Sequence, residues 1–490
     1  MKRRTLLKGA LATGVLASAS GRMAMASLSP AKDAVSIVRL DGSGFMLSKG
    51  SVNRFEASLS GQLLKPSSNG YDAARSLWNA MIDHKPALIA QCTSAEDVAA
   101  AVKFGHEHDL LTSVRCGGHS FSGKSVAENG LMIDLSFMHQ VDVDVAGKTA
   151  SVGGGARLGQ VDNAALKHNL ITMVGTDSDT GAGGLTLGGG MGRLNRKLGL
   201  TIDNLLAAQI VTADGEIRRV SAQENSDLFW AIRGGGGNFG VATEFVYQLH
   251  DFNPIVYGGN IFMPWQQRRE FLAFIMDYQA GMPDEIHLAP VLINHPKNGS
   301  MVGVEIIYAG DHKIGEQLTA PIRQFAKPIF DSVGPNPYAD FQTTTDETHS
   351  SHYIKSGLVP TLDAQTITAV ADEFPADPNL FLFFQHLGGA VARVDPQATA
   401  FTHRDALYNI GIAASWQDPA QYPRYRQMVR DHWARLQPHT MGFYTNLMEQ
   451  DEQQTLDNFA INRKRLQSIK ARYDPDNFFR LNANIKPQRC

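Results

Sequence analysis

The 490-residue chain has only three cysteines, Cys92, Cys116 and Cys490. The number is odd and the spacing wide, so no disulfide framework follows, even in an oxidising compartment. None has a second cysteine or a histidine at a recognised ligand spacing, so no metal motif is built on them. Charge of one sign is lacking too. A formal net charge of −3 with no basic block gives no electrostatic reason to expect a nucleic acid partner. Long apolar runs are also missing. The weakly apolar stretch from Gly9 to Ser20 is too short to span a bilayer, so no stable membrane insertion is expected. There is no internal repeat and no low-complexity segment.

What is present begins at the N-terminus. Lys2-Arg3-Arg4-Thr5-Leu6-Leu7-Lys8 leads a small-residue stretch ending in Ala24-Met25-Ala26, an A-x-A cleavage pattern. The paired arginines read as a twin-arginine signal over residues 1–26. The mature protein is therefore expected to be periplasmic or secreted, with the export machinery as an early partner. Glycine is the one excess: 46 residues, bunched in a few stretches. Bunching of that kind marks backbone approaching a ligand or another backbone closely, where a Cβ would obstruct.

The pattern becomes legible after Ala57. Ala87–Cys92 reads as a strand, and Thr93-Ser94-Ala95-Glu96 as a helix cap, with Thr93 at the cap position and the acid three residues on. An amphipathic helix follows through Val98, Val102 and Phe104, then a strand at Leu110–Val114. Runs at Leu131–Leu135, Val141–Val145, Thr149–Val152 and Leu205–Val211 are β-like, and Asp214-Gly215 signals a hairpin into Ile217–Val220. Helices are expected at Leu158–His168 and Leu228–Ile232. Beyond Phe252 the glycine clusters stop. Strand-like runs at His287–Asn294, Met301–Tyr308, Leu380–Leu387 and Leu407–Trp416 alternate with helices at Gln266–Gln279 and Tyr422–Leu436. This predicts a second domain with a large antiparallel sheet backed by helices. A last helix is expected over Asp457–Ile469.

The sharpest motif is Arg115-Cys116-Gly117-Gly118-His119-Ser120-Phe121-Ser122-Gly123-Lys124-Ser125. Gly118 to Ser125 fits G-x-x-x-x-G-K-S, the phosphate loop of nucleotide hydrolases. That loop should open a helix, yet Val126-Ala127-Glu128-Asn129-Gly130 breaks within a turn, and Leu131–Asp134 comes too soon to supply a magnesium ligand. In the other reading Gly117 and Gly118 admit a pyrophosphate, Ser120 and Ser122 add hydroxyl donors, and His119 brings a nucleophilic imidazole to the edge of the cradle. Here the sequence resembles the berberine-bridge-enzyme-like flavin oxidases, of the vanillyl-alcohol-oxidase/PCMH-type superfamily. In them R-S-G-G-H-S/D-x-x-G attaches FAD through the histidine, and Cys116 stands where serine is usual.

Further stretches carry the same resemblance. Gly183-Gly184-Leu185-Thr186-Leu187-Gly188-Gly189-Gly190-Met191-Gly192-Arg193-Leu194-Asn195-Arg196 is similar to the family's second FAD signature, which implies that Gly188–Gly190 pass over the flavin. Gly234–Gly240 is similar to its R-G-G-G-G-N-F-G element and implies Asn238 near the cofactor. Phe478–Pro487 resembles the C-terminal signature, bringing Asn482 and Asn484 back to it. Gly442-Phe443-Tyr444-Thr445-Asn446 resembles the Y-x-N segment, whose tyrosine acts in many relatives as the base on a substrate hydroxyl. An unperturbed phenol has a pKa of ~10, so Tyr444 would need help to act near neutrality. Members with doubly attached flavin carry a cysteine eight residues before the position of Leu185. Here that residue is Asp177, so attachment through His119 alone is implied. Thr180 takes the position of the family's oxygen gatekeeper, where a small aliphatic residue is more usual.

The resemblance implies an α+β fold: a PCMH-type FAD-binding domain of two α/β subdomains over 58–250, a substrate domain over 251–440, and a C-terminal segment over 441–490 returning to the cofactor. It implies two-electron oxidation of a small organic substrate such as a sugar, alcohol or phenolic, with hydride passing to FAD and then to O2 or another acceptor. Implied cofactor contacts are Arg115, Cys116, Gly117, Gly118, His119, Ser120, Gly123, Gly183, Gly188, Gly189, Gly190, Asn195, Asn238, Asn482 and Asn484. Two rivals stay open: a nucleotide hydrolase on Gly118–Ser125, and a catalytically silent flavin-binding protein. Gln385, His386 and Tyr408 lie on second-domain strands, facing either the flavin or the core. His349-Ser350-Ser351-His352 would put two histidines on one helical face, with no third ligand evident.

Overall fold

The computed structural model describes residues 34–343, 350–447, 452–459 and 461–488. The signal expected at residues 1–26, His349 and Cys490 lie outside them. Leu88–Gln91 forms a strand, and the helix Ala95–Glu107 crosses over to Thr112–Arg115. Both strands pair in parallel with Leu131–Asp134 between them, and Gln62–Leu64 adds an antiparallel edge. The helix cap is Ser94 rather than Thr93, its side chain accepting from the Asp97 amide. Thr93 instead donates its hydroxyl to the Asp97 carboxylate, which also accepts from the Ser60 and Gly61 amides. A loop from elsewhere in the chain thus moves the cap by one residue.

A second sheet holds five antiparallel strands, with Val241–Gln248 pairing both Leu205–Val211 and Thr149–Gly153. The Asp214-Gly215 turn joins Leu205–Val211 to Ile217–Ser221, with Gly215 at φ 73. The first subdomain also reaches further back than residue 58. The hairpin Val35–Val38/Gly44–Leu47 and the helix Lys49–Ala57 send Ile37, Leu47, Val52 and Phe55 into the core of the four-stranded sheet. The local signal for this hairpin is Asp41-Gly42 in its turn, with Gly42 at φ 84.

The third unit is an eight-stranded antiparallel sheet, its long strands including Ile255–Pro264, Ile286–His295, Gly299–Tyr308, Ser351–Val359, Leu380–His386 and Tyr408–Trp416. Side chains alternate across a strand. Leu288, Leu292, Val304, Ile306, Leu382 and Ile410 pack on one face with Phe271, Ile367 and Val429 from the helices Arg268–Gln279, Ala364–Ala371 and Tyr422–Leu436. The other face, carrying Ala289, Val291, Glu305, Phe383 and Gln385, looks into a cavity shared with the flavin-type subdomains. His352 lies on the strand Ser351–Val359, which overturns the helical face expected for His349–His352.

The tail helix is broken in two, Glu452–Asn458 and Arg463–Tyr473. Asn462 lies at the break, its side-chain amide donating to the carbonyls of Pro396 and Thr399. No helix among the described residues is long and apolar enough to cross a membrane. After Tyr473 the chain re-enters the flavin-type subdomains. Phe478 and Phe479 join the core of the first sheet and Ile485 that of the second.

A buried ion pair locks that return. Lys470 Nζ donates to Asp474 Oδ2 at 2.5 Å and to the carbonyls of Asn238 at 2.6 Å and Phe479 at 2.9 Å. Asp474 in turn accepts from the amides of Phe478 and Phe479. Every charge in the network is partnered, so removing one leaves the other stranded in the core. Lys470→Met is expected to lower stability by about 3–5 kcal/mol, read as the shift of the urea unfolding midpoint. A change within ~0.5 kcal/mol would assign the network no structural role.

Candidate active site

Two loops meet at the floor of the cavity. The strand Thr112–Arg115 runs into residues 116–125, and Gly181 precedes the short helix Ala182–Leu187. Their backbones touch. A Cβ on Gly117 would sit 2.5 Å from the Gly181 nitrogen, and one on Gly181 would meet Gly117 more closely still. Gly118, at φ 74, lies over the Arg115 guanidinium, where a Cβ would be 2.9 Å from a terminal nitrogen. Arg115 itself is not on the cavity wall. It donates to Asp134 at 3.3 Å and to the Ser76 carbonyl at 3.2 Å, and so supports the turn from beneath. The Cys116 thiol donates to the Gly154 carbonyl at 2.8 Å, and burial pushes its pKa up, so it serves as a neutral donor under the cradle. Gly117, Gly118, His119, Ser120 and Gly183 all face the cavity.

His119 stands at one side of a ring stack. Its imidazole lies on Trp78 with centroids 4.3 Å apart, and Trp78 lies on His352 at 3.8 Å. The Asn79 side chain holds that order by bonding both the amide and the carbonyl of His352, at 2.9 and 3.1 Å. His119 Nε2 is enclosed, without a hydrogen bond, 3.6 Å from Asp177 Oδ2. The cavity measures about 1070 Å³, above the usual range for one small ligand. Ser125 Oγ, Thr445 Oγ1 and Asn482 Oδ1 also line it as buried oxygens with no partner. Buried polar atoms are rarely left so, and here they ring one space. Lys124 adds a cation, its Nζ donating to the Asn482 carbonyl at 3.2 Å. A glycine floor, a cation, orphaned acceptors and hydroxyls, and a histidine at one end fit FAD.

Several expected contacts lie off this wall. A Cβ on Gly123 would meet Ile82 at 2.8 Å, so that glycine, at φ 75, faces the outer loop. Gly188 admits Asn446, Gly189 lies under Phe401 and Tyr444, and Gly190 lies against Thr201. These three glycines make room for the Tyr444–Asn446 segment and its supports. Asn195 is buried, accepting from the Gly192 amide and donating to the His386 carbonyl. Asn238 clamps the C-terminal return, donating to the carbonyls of Gly235 and Ala483 and accepting from the Ile485 amide. Asn482 is on the wall and Asn484 behind it, its Oδ1 buried and without a partner. The phosphate-loop reading fails: residues after Ser125 form turns rather than a helix, and Asp134 is buried and bonded to Arg115, Gln91 and Ser136.

Tyr444 projects into the same cavity. Its hydroxyl accepts from the amides of Gly190 at 3.2 Å and Met191 at 3.3 Å, and from Asn446 Nδ2 at 2.8 Å. Burial pushes its pKa up to about 12, while these three donors pull the other way. Across the cavity, sheet parity separates residues that the sequence alone could not. Gln385 faces in and accepts from Asn409 at 2.8 Å. Its neighbour His386 points into the core, accepting from the Leu288 amide at 3.0 Å and stacking on Tyr408 at 4.8 Å. Glu305 faces in, gripped by Arg193 through two bonds of 2.8 and 3.2 Å. Burial pushes its carboxyl up, but Arg193 outweighs this and leaves the pKa lowered. His287 beside it is pushed down to about 4 by burial. Phe381, Phe383 and Val291 make the apolar part of the wall, and Thr180 lies on the opposite side. Trp78, Lys124, Arg193 and Glu305 are not site residues by sequence, though Lys124 and Arg193 sit inside glycine motifs; His352 is raised there only as a possible metal ligand.

Residues 86–221 match the FAD binding domain family, and residues 443–486 match the family described as berberine and berberine like. An FAD-linked oxidoreductase of Dictyostelium discoideum is 34% identical over 446 residues, 89% of this chain and 97% of that one. The crystal structure of 6-hydroxy-D-nicotine oxidase from Arthrobacter nicotinovorans superposes with a TM-score of 0.81 at 30% identity, covering 88% of this chain and 99% of the other. The structure of glucooligosaccharide oxidase from Acremonium strictum, described as carrying a 6-S-cysteinyl, 8α-N1-histidyl FAD, gives a TM-score of 0.81 at 27% identity, over 90% and 100% of the two chains. With the glycine floor, His119 and Tyr444 in one cavity, the chain belongs to the berberine-bridge-enzyme-like family of FAD-linked oxidoreductases.

Proposed function

We propose that this protein oxidises a small hydroxyl-bearing organic molecule by two electrons, with FAD held covalently through His119 alone. The observation that carries the reading is the clamp on Tyr444: three donors converge on one phenol oxygen in the cavity that also holds His119. These donors stabilise the phenolate and offset part of the burial that raises the phenol's pKa. Tyr444 is thus built to take the proton of a substrate hydroxyl. When bound, FAD accepts the hydride from the adjacent carbon and passes the electrons to O2 or another acceptor. Gln385 and the apolar pair Phe381 and Phe383 would orient the substrate over the reacting carbon. The relatives named for hydroxynicotine and for glucooligosaccharide both have hydroxyl-bearing molecules in their names, which fits an oxidase of small organic molecules and leaves the substrate unspecified.

Single attachment follows from Asp177, which stands where doubly attached flavins have cysteine. Cys116, the one cysteine on the cavity wall among the described residues, is turned to the Gly154 carbonyl. Export through the twin-arginine signal fits a cofactor that cannot be lost after folding.

Acid precipitation of the purified protein should leave the yellow colour in the pellet, and His119→Ala should move it to the supernatant. Colour in the wild-type supernatant would remove the covalent claim. A substrate that bleaches the flavin, with peroxide formed in air, separates an oxidase from a silent flavin-binding protein. A base acts in its unprotonated form, and a phenol at about 12 is mostly protonated at neutrality. kcat/KM is therefore expected to rise with pH from neutral to alkaline, by up to about tenfold per unit. Tyr444→Phe should lower kcat/KM by about 100-fold or more and flatten the profile. A profile unchanged in Tyr444→Phe would assign the base elsewhere.

A further inference from the structure

We infer that Asp177 is the residue that readies His119 for its bond to the flavin, taking the imidazole proton as the bond forms. The inference rests on the covalent reading above and explains how this chain attains it. Asp177 occupies the position from which doubly attached relatives supply a second link, yet its carboxylate is directed at the first one. One oxygen, Oδ1, accepts the Asp179 amide at 3.1 Å. The same carboxylate places Oδ2 3.6 Å from His119 Nε2, an ion-pair distance somewhat longer than a hydrogen bond. Such contacts are commonly long before the ligand is seated.

The loop around Asp177 is held at several points. The Ser178 amide donates to the Gln342 carbonyl, the Gly159 amide to the Ser178 carbonyl, and the Leu158 amide to the Thr180 carbonyl. Trp78 covers one face of the imidazole, which fixes the ring plane. With Nε2 turned to Asp177, Nδ1 is the nitrogen left for the cofactor, which matches the N1 linkage printed for glucooligosaccharide oxidase.

A bond forms between His119 Nδ1 and the 8α methyl carbon of FAD, while one C–H bond of that methyl and the imidazole N–H bond break. The methyl proton goes to solvent and the imidazole proton to Asp177 Oδ2. The released electron pair passes through the flavin to dioxygen, which takes up two protons and becomes hydrogen peroxide. Asp177 is a positioning residue in this scheme, since it acts through His119. A carboxylate that orients an imidazole and receives its proton is a familiar pairing in acid–base chemistry.

The test uses full-length protein purified in air from riboflavin-replete cells. Total bound FAD is measured by absorbance, and linked FAD by in-gel fluorescence after denaturation, sampled over time. Asp177→Asn keeps an oxygen for the Asp179 amide and removes the charge. It is expected to bind FAD at the wild-type ratio while the link forms about 100-fold more slowly. Asp177→Glu, which restores the carboxylate, is expected to recover most of that rate. Wild-type rates in Asp177→Asn would overturn the inference and leave the covalent reading intact. An unlinked flavin in the wild type would overturn both. An Asp177→Asn chain that binds no flavin, with Asp177→Glu unable to restore the link, would make Asp177 a turn residue only and also overturn it.

Discussion

The contact between Gly117 and Gly181 is the constraint on which the site depends. Two loops from different subdomains meet there backbone to backbone, with no room for a Cβ on either. That approach puts the end of a parallel strand beside the start of a short helix, so the glycine floor and His119 share one wall. A methyl group at either position would push the loops apart, and the Asp177 carboxylate would move away from the imidazole it faces.

The rest of the site is arranged by supports that never touch the cavity. Arg115 holds the Gly118 turn from below, Asn238 clamps the C-terminal return, and the Lys470–Asp474 pair fixes the chain that brings Asn482 to the wall. Gly188 and Gly189 play the same part for Tyr444. By admitting Asn446 and Phe401 closely, they let the Gly190 and Met191 amides point at the phenol oxygen. Tyr444 and His119 thus come from segments more than three hundred residues apart, held together by small residues.

Much of this was legible in the sequence because its signals are local. Strand-like apolar runs marked four of the long strands of the third unit, and the histidine motif and the Y-x-N segment named His119 and Tyr444. Glycine is less explicit. It demands close approach but does not name the neighbour, so Gly188–Gly190 read equally well as room for a flavin or for a tyrosine. Long-range partners stayed hidden for the same reason. Asn462 at the break in the tail helix bonds carbonyls about sixty residues away, and Trp78 finds His352 only through the fold. Strand parity decides between Gln385 and His386, and no composition of either residue could do so.

The bond proposed at His119 is tested most directly by mass spectrometry of the tryptic peptide Cys116–Lys124. That bond makes the peptide heavier by one FAD less two hydrogens, with fragmentation placing the addition on the histidine. An unmodified peptide recovered in full from yellow protein would contradict it.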